Sequence, residues 1–151
     1  MKSFETVNDV LDFAMQSEQE AVDFYTSLAD KMQNEEMKSV FLQFAQEEVG
    51  HKARLQKIKD EGIFDMPVEM VRDLKISDYV VRTKATPDME YQDALILAMK
   101  REKAAFKLYT KLSESCEHPG LKNVFQALAV EESKHKLRFE LEYDDYVMRE
   151  N

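Results

Sequence analysis

The sequence predicts an all-α protein: a four-helix bundle made of two repeated helical hairpins that are joined by one long crossover. Three observations support this fold class. Glycine and proline number only three each among 151 residues, too few for the many turns of a β-sandwich or barrel. Apolar residues make up 44% and charged residues 34%, a mixture that suits long amphipathic helices. The third observation is an internal repeat. Together they predict a single domain over residues 1–151.

The chain repeats itself at an offset of 84 residues. Residues 7–55 align with residues 91–139 without a gap, and 18 of the 49 aligned positions are identical. Shared helical composition alone would not keep this register across a loop, so we interpret the match as an internal duplication. The two halves are therefore expected to share both their fold and their special positions.

The first hairpin is predicted over about residues 5–61. A break near Gln33 and Asn34 separates its two helices, and Gly62 ends the second helix. Apolar residues recur at steps of three and four, which is the spacing of one helix face. The predicted core positions are Val10, Phe13, Ala14, Ala21, Phe24, Tyr25 and Leu28, followed by Met37, Phe41, Phe44, Ala45, Leu55 and Ile58.

The second hairpin is predicted over about residues 90–149. Pro119 and Gly120 mark its break, and Pro119 suits the first turn of the last helix. The apolar face repeats that of the first half. Its members are Ala94, Leu97, Ala98, Ala105, Leu108, Tyr109 and Leu112, followed by Leu121, Phe125, Leu128, Ala129 and Phe139.

Residues 62–89 join the two hairpins. Pro67, Pro87 and the polar stretch 82–88 favour irregular structure, with a short helix after Pro67. Antiparallel neighbours need only a few linking residues, whereas this segment is long enough to cross a helix of roughly 40 Å. We therefore interpret it as a crossover between two hairpins of one bundle. A linker between two separate domains is the alternative.

Charge and cysteine content narrow the functional classes. The net charge of −9 disfavours nucleic acid as a partner, because an acidic chain repels phosphate backbones. Cys116 is the single cysteine, so no CxxC pair is present for zinc or dithiol chemistry. No apolar run approaches 18 residues and no apolar leader follows Met1, so we expect neither a membrane span nor export. A cytoplasmic location is the default expectation.

Six polar residues interrupt the predicted apolar faces. An unpaired buried carboxylate is costly, and four of them in one core need positive charge among them. Two divalent cations would balance the four carboxylates, with neutral imidazoles completing the ligand set. The candidate metal ligands are Glu18, Glu48, His51, Glu102, Glu132 and His135.

The spacing of these six residues is typical of a two-metal site in a helical bundle. Glu48-x-x-His51 and Glu132-x-x-His135 each place two side chains on one helix face, and each has a Glu 30 residues upstream. Oxygen-rich ligation with one nitrogen per metal suits iron or manganese better than structural zinc. Buried polar pairs without a metal are the alternative interpretation.

Other repeated residues lie near these candidates. Tyr25 and Tyr109 could donate hydrogen bonds to metal-bound carboxylates, or they could be core aromatics whose hydroxyls reach the surface. Glu47 and Glu131 lie about 100° away from the apolar stripe, which places them at the surface or behind the ligands. His118, beside Pro119 in a turn, is expected to be solvated.

These residues resemble the rubrerythrin branch of the ferritin-like superfamily. The resemblance covers about residues 4–148 and rests on Glu18 followed by Ala21 and Tyr25, on the Glu-x-x-His pair, and on the repeat of both patterns in the second half. It implies a ferritin-like four-helix bundle that holds two iron ions, with manganese or a mixed pair as alternatives. It also implies that Glu48 and Glu132 bridge the metals, that Glu18 and Glu102 are terminal ligands, and that His51 and His135 each bind one metal.

The resemblance further implies a peroxidase or oxidase. Such an enzyme reduces hydrogen peroxide, or dioxygen, to water in defence against oxidative stress. Rubrerythrins proper carry a four-cysteine rubredoxin-like centre that this sequence lacks, so electrons would come from an external donor such as a rubredoxin or a flavoprotein. They also carry an extra Glu one turn after the second-half Glu, where this sequence has Ala104 and Ala105, so the site looks symmetric. A homodimer, with helices exchanged through the crossover as one option, is implied as well.

Three other functions fit the same residues. The protein could be a ferroxidase or an iron-binding or storage protein, which an assembled shell would reveal. It could be a bundle that serves structure or interaction without turnover, which metal content would reveal. It could also be a hydroxylase, which would need a substrate pocket beside the metals.

Overall fold

A computed structural model describes residues 3–150 of the chain. Within this range all regular structure is helical and no strand occurs, which confirms the predicted all-α class. No helix among the described residues is both long and apolar enough to cross a membrane. The chain divides into two compact units, Met1–Leu74 and Lys75–Asn151. The five α-helices are α1 (Val7–Lys31), α2 (Glu35–Glu61), α3 (Val68–Asp73), α4 (Tyr91–Ser115) and α5 (Pro119–Glu150).

Capping residues define the ends of the first two helices. The Asp9 N–H donates to Thr6 Oγ1 at 3.1 Å and the Thr6 N–H donates to Asp9 Oδ2 at 3.1 Å, a reciprocal capping box that begins α1. Asn34 Oδ1 accepts the Met37 N–H at 3.1 Å and begins α2. Gly62 ends α2 in the left-handed region, at a φ of 64°, where a side chain would be strained. The predicted break and stop signals therefore lie at the helix ends.

The first unit is an antiparallel pair of long helices with its apolar faces buried inside. Most of the predicted core positions of α1 and α2 are buried, and Tyr25 stacks on Phe41 with ring centroids 6.4 Å apart. At the edge of the pair, Lys52 Nζ donates to Gln19 Oε1 at 2.8 Å and Lys59 Nζ donates to Asp12 Oδ1 at 2.7 Å. These half-exposed contacts add little energy but fix the register of the two helices.

The start of the crossover belongs to the core of the first unit. After Gly62 the chain turns back, and the short helix predicted after Pro67 is present as α3. Four apolar side chains of this segment are 2–6% exposed: Phe64, Met66, Val71 and Leu74. The segment is thus a packed part of the unit, and its burial is a further stabilising contribution beyond that of α1 and α2.

The second unit contains a 3-10 helix (Ile76–Asp78) and the hairpin of α4 and α5. Pro119 occupies the first position of α5, as predicted from its fixed φ. The exposed His118 caps this helix, because its Nδ1 accepts the Leu121 N–H at 3.2 Å. Cys116 is buried at the end of α4, and its thiol donates to the His118 carbonyl oxygen at 3.6 Å. The turn is therefore ordered by its own polar groups.

The second unit also contains a buried glutamate, Glu142, outside the six candidate metal ligands, and the sequence pattern does not predict its burial. Tyr91, at the start of α4, donates from its hydroxyl to Glu142 Oε2 of α5 at 2.9 Å. Glu142 is only 7% exposed and also lies 3.6 Å from Arg149 Nη2. The Tyr146 ring meets the Tyr91 ring edge-on at 5.1 Å. Burial, and then the hydrogen bond to Glu142, raise the pKa of Tyr91 well above its usual value.

Replacing Tyr91 by Phe is expected to lower the free energy of unfolding by about 1–3 kcal/mol, because a buried carboxylate loses its hydroxyl donor. Urea unfolding followed by circular dichroism measures the change. Tyr146→Phe, which removes a hydroxyl but keeps the ring contact, is the matched control and should cost less than about 0.5 kcal/mol. Because the pKa of Tyr91 is higher in the folded protein than in the unfolded chain, its contribution to the free energy of unfolding is present below about pH 10 and is lost as the pH rises further. Equal stability of the two variants would contradict this role.

Candidate metal centre

The first unit brings three of the predicted ligands together. Glu18 comes from the middle of α1, and Glu48 and His51 come from the middle of α2. Their exposed fractions are 2%, 1% and 1%. His51 Nδ1 lies 3.5 Å from Glu18 Oε2 and 3.5 Å from Glu48 Oε1. One imidazole nitrogen thus lies near two carboxylate oxygens, and all three groups are buried.

The second unit contains the equivalent set. Glu102 comes from α4, and Glu132 and His135 come from α5. Their exposed fractions are 1%, 1% and 2%, and His135 Nδ1 lies 3.6 Å from Glu102 Oε1. The duplication seen in the sequence is therefore also a duplication of side-chain geometry, since the nitrogen of each histidine faces the glutamate of the neighbouring helix.

The local sequence explains why these side chains converge. Glu and His three residues apart on a helix point to the same side, so each Glu-x-x-His pair presents both groups to the facing helix. The positions around the ligands are small. Alanine lies four residues before and three residues after the glutamate of α1 and α4, and three residues before the glutamate of α2 and α5: Ala14, Ala21, Ala45, Ala98, Ala105 and Ala129. Small side chains leave room beside the carboxylates for an ion.

The distances fit a shared cation better than direct hydrogen bonds. A nitrogen–oxygen hydrogen bond usually spans about 2.7–3.2 Å, and these contacts are longer. Two ligand atoms that each lie about 2.1 Å from one ion are separated by roughly 3.0–3.4 Å, close to the 3.5 and 3.6 Å seen here. Each set also holds two carboxylates for one imidazole, and donor sets rich in carboxylate oxygen suit divalent cations. The donor sets therefore fit metal ions.

Each unit on its own has enough ligands for one metal ion. In the first unit one ligand atom each from Glu18, Glu48 and His51 lies within 4.8 Å of the others. In the second unit the same holds for Glu102, Glu132 and His135. The structure thus contains buried Glu/His clusters that are able to bind two metal ions. Oxygen-rich sets with a single nitrogen are typical of iron and manganese.

The neighbouring repeated residues divide into two groups. Tyr25 and Tyr109 are 0% and 1% exposed, so the alternative in which their hydroxyls reach the surface is wrong. Their hydrogen bonds to metal-bound carboxylates stay a prediction. Glu47 and Glu131 are partly exposed, and Glu47 accepts a hydrogen bond from Gln43 on its own helix at 3.1 Å. Glu47 and Glu131 thus lie beside the buried ligands without sharing their burial.

Two solved structures resemble this chain in overall fold. A protein from Thermotoga maritima, described as ferritin-like and diiron-carboxylate, has a similar structure with a TM-score of 0.79 and 21% identity, over 97% of this chain and 99% of that one. A hypothetical protein from Pyrococcus furiosus has a TM-score of 0.69 and 27% identity, over 89% of this chain and 86% of that one. The fold is therefore that of a ferritin-like bundle, as predicted.

Sequence comparison assigns the family. No curated protein matches the sequence significantly. The family model of rubrerythrin matches residues 9–143, which include both Glu/His sets and nearly all of the four long helices. The chain therefore belongs to the rubrerythrin family.

Proposed function

We propose that the protein is a non-haem di-iron oxidoreductase that reduces hydrogen peroxide, or dioxygen, to water in oxidative-stress defence. The single observation that carries the proposal is the pair of buried sets, each with two glutamates and one histidine, in a chain of the rubrerythrin family. The similar protein from Thermotoga maritima, described as diiron-carboxylate, supports iron as the metal. Two iron ions would supply redox equivalents and Lewis acidity for cleavage of the O–O bond.

The proposed ligand roles follow the family resemblance. His51 and His135 would each bind one iron, and Glu18 and Glu102 would be terminal ligands. By the same resemblance, Glu48 and Glu132 would bridge the two ions. Carboxylates suit this task because they can change between one and two bonds as the charge of the site changes.

In the proposed reaction, the protein keeps the six metal-binding side chains buried and holds them in a fixed orientation. With the six side chains 1–2% exposed, bulk water is kept away from the reacting oxygen atoms. Tyr25 and Tyr109 each follow a terminal ligand by seven residues, two turns along the same helix face. We propose that their hydroxyls donate hydrogen bonds to metal-bound carboxylates and so fix the ligand orientation.

Reduction of one hydrogen peroxide to two water molecules consumes two electrons and two protons. The sequence has one cysteine, so it cannot provide a four-cysteine iron centre of its own. We propose that an external donor, a rubredoxin or a flavoprotein, returns the electrons to the site. A cytoplasmic setting would suit such a reducing partner.

Anaerobic stopped-flow spectroscopy tests this function. Protein loaded with ferrous iron and mixed with hydrogen peroxide is expected to lose its ferrous iron within seconds, with about one peroxide consumed per two irons oxidised. Glu48→Ala with Glu132→Ala, mixed under the same conditions, should show only the slow reaction of iron in solution.

The size of the assembled protein in solution distinguishes the proposed peroxidase function from iron storage. Ferrous iron that persists for minutes in the presence of peroxide would overturn the peroxidase proposal. A particle near the roughly 425 kDa of a 24-subunit shell, filling with iron beyond two per chain, would favour storage instead.

A further inference from the structure

A pocket of about 360 Å³ lies beside α4 in the second unit. One part of its lining is the segment that follows the 3-10 helix, with Asp78 and Arg82, and another part is α4, with Lys100, Lys103 and Lys107. Two valines and an alanine add an apolar surface. Sites for small molecules usually occupy about 300–1,000 Å³, so this pocket has the size of such a site.

The three lysines of α4 form one positively charged stripe along the pocket. At 100° per residue their directions lie within about 60° of one another, and the stripe is about 10 Å long. Its centre points about 130° away from the direction of Glu102, so the stripe lies on the outer side of α4. Lys100, Lys103 and Lys107 are exposed, and so is Arg82. The pocket is therefore open to a ligand from solvent and separate from the candidate metal centre.

The pocket concentrates positive charge in a chain whose net charge is −9. Four cations line it, against the single carboxylate of Asp78. Among residues 3–150, no salt bridge joins any of these four cations to a carboxylate. Like charges around one pocket repel one another, and a bound anion relieves that repulsion. The charge of the pocket therefore favours an anionic ligand.

The internal repeat shows that the fold of the helix does not require this charge. At the positions equivalent to the three lysines, α1 carries Gln16, Gln19 and Asp23. On their inner sides the two helices carry the same residues, among them Glu18 and Glu102. The two halves thus share the metal-ligand side and differ in charge on the outer side, which indicates a role for the outer side of α4 that α1 does not have.

The donor groups in the pocket suit phosphate. A guanidinium group such as that of Arg82 can donate two parallel hydrogen bonds to one phosphate, and lysine ammonium groups add compact positive charges. Lysines spread over about 10 Å can contact several phosphates in a row. The Thr83 hydroxyl, which also lines the pocket, can donate a further hydrogen bond. The valine and alanine side chains offer an apolar surface to an organic group.

We propose that the pocket between residues 78–83 and α4 binds a phosphorylated small molecule of the nucleoside polyphosphate class. Arg82, Lys100, Lys103 and Lys107 hold its phosphate groups, and its organic group lies against the apolar part of the lining. A concave pocket of this size suits a small molecule rather than a flat protein surface. The site uses none of the metal ligands, so the proposal does not depend on the proposed enzymatic function.

Isothermal titration calorimetry of the metal-free full chain, without divalent cations, tests the site with ATP and with pyrophosphate as probes. The wild type is expected to bind one ATP per chain, with a dissociation constant below about 1 mM. Raising the ionic strength from about 0.05 to 0.2 M should weaken the binding about 3- to 10-fold. ATP that binds at least about 5-fold more tightly than pyrophosphate would show that the organic group is held. Equal affinities would assign the site to phosphate chains alone.

A variant taken from the repeat tests the residues. Lys103→Gln with Lys107→Asp gives α4 the residues that α1 carries at the equivalent positions. It should weaken ATP binding at least about 20-fold, with unchanged helix content by circular dichroism, because two positive charges are lost and one is reversed. Lys122→Gln with Lys134→Asp is the matched control, since it makes the same charge change at exposed positions of α5 outside the pocket. The control should bind ATP within about twofold of the wild type.

Acetylation of the wild-type protein, read by peptide mass spectrometry, locates the ligand without any substitution. Saturating ATP is expected to slow the acetylation of Lys100, Lys103 and Lys107 about 5-fold or more, because a lysine held by a phosphate is shielded from the reagent. Lys122 and Lys134 should react at the same rate with and without ATP.

Three results would overturn the proposal. The first is the absence of binding of both probes at about 5 mM. The second is equal weakening of ATP binding in the pocket variant and in the α5 control, which would mean attraction by overall charge. The third is unchanged acetylation of the three α4 lysines at saturating ATP, which would place the ligand elsewhere.

Discussion

Replacing Glu48 and Glu132 together by alanine is expected to reduce bound iron from about two per chain to less than 0.2, because each set keeps only two protein ligands. Metal content after anaerobic ferrous loading and desalting measures the result. The matched control is Glu47→Ala with Glu131→Ala, which removes the same two side-chain types one position along each helix, where they are partly exposed. The control should keep both irons.

Single variants extend this test to the ligand roles. If Glu48 bridges the two ions, Glu48→Ala alone should release more than one iron per chain. Glu18→Ala should release only one, since a terminal ligand serves one ion. Equal loss from the two single variants would contradict the bridging assignment. Full metal retention in the double variant would show that these residues are buried carboxylates without a metal, the alternative that the sequence left open.

Glu48→Gln is expected to change stability in opposite directions with and without metal. In metal-free protein, two buried carboxylates lie 3.5 Å from the same imidazole nitrogen, so removing one charge at constant shape relieves their repulsion and should raise the free energy of unfolding by about 1–3 kcal/mol. In metal-loaded protein the same change removes a ligand. The wild type should gain about 3 kcal/mol or more from manganese at 100-fold excess over its dissociation constant, and the variant should gain far less.

Manganese is the suitable probe for this comparison because it resists oxidation in air. Thermal unfolding by circular dichroism, with manganese or with a chelator, gives the four stabilities. Gln43→Glu, which adds a charge to the exposed face of α2, controls for general charge effects and should respond little to metal. A metal-free Glu48→Gln variant less stable than the wild type would mean that Glu48 supports the fold by itself.

The sequence predicted those features that repeat or follow helical periodicity. Helix ends are set by local residues such as Asn34, Gly62 and Pro119, so the sequence alone can predict where the helices begin and end. The six candidate ligands stand out in the sequence because each is a polar residue within an apolar helix face, and because the duplication places the same residues in both halves. Burial of all six side chains agrees with that reasoning.

Other features depend on contacts that periodicity does not encode. The positions equivalent to Tyr91 and Glu142 in the first half are Val7 and Ile58, so the repeat gives no sign of that hydrogen bond. Glu142 follows His135 by seven residues on the same helix face, and in the sequence this spacing is the one indication that Glu142 is buried. The burial of Phe64, Met66, Val71 and Leu74 likewise depends on the path of the chain after Gly62. The exposure of Leu137 depends on which side of α5 faces its neighbour.

Each half of the chain holds its own set of candidate metal ligands, and this bears on how such a chain can arise by duplication. Each repeat carries two glutamates and one histidine within 4.8 Å of one another, so two copies of a single repeat would supply the same six ligands as the full chain. An ancestral gene of half the length could thus have encoded a metal-binding protein as a pair of identical hairpins. In a fused chain the two hairpins no longer have to be identical. Val7 and Ile58 in one half, against Tyr91 and Glu142 in the other, record that divergence.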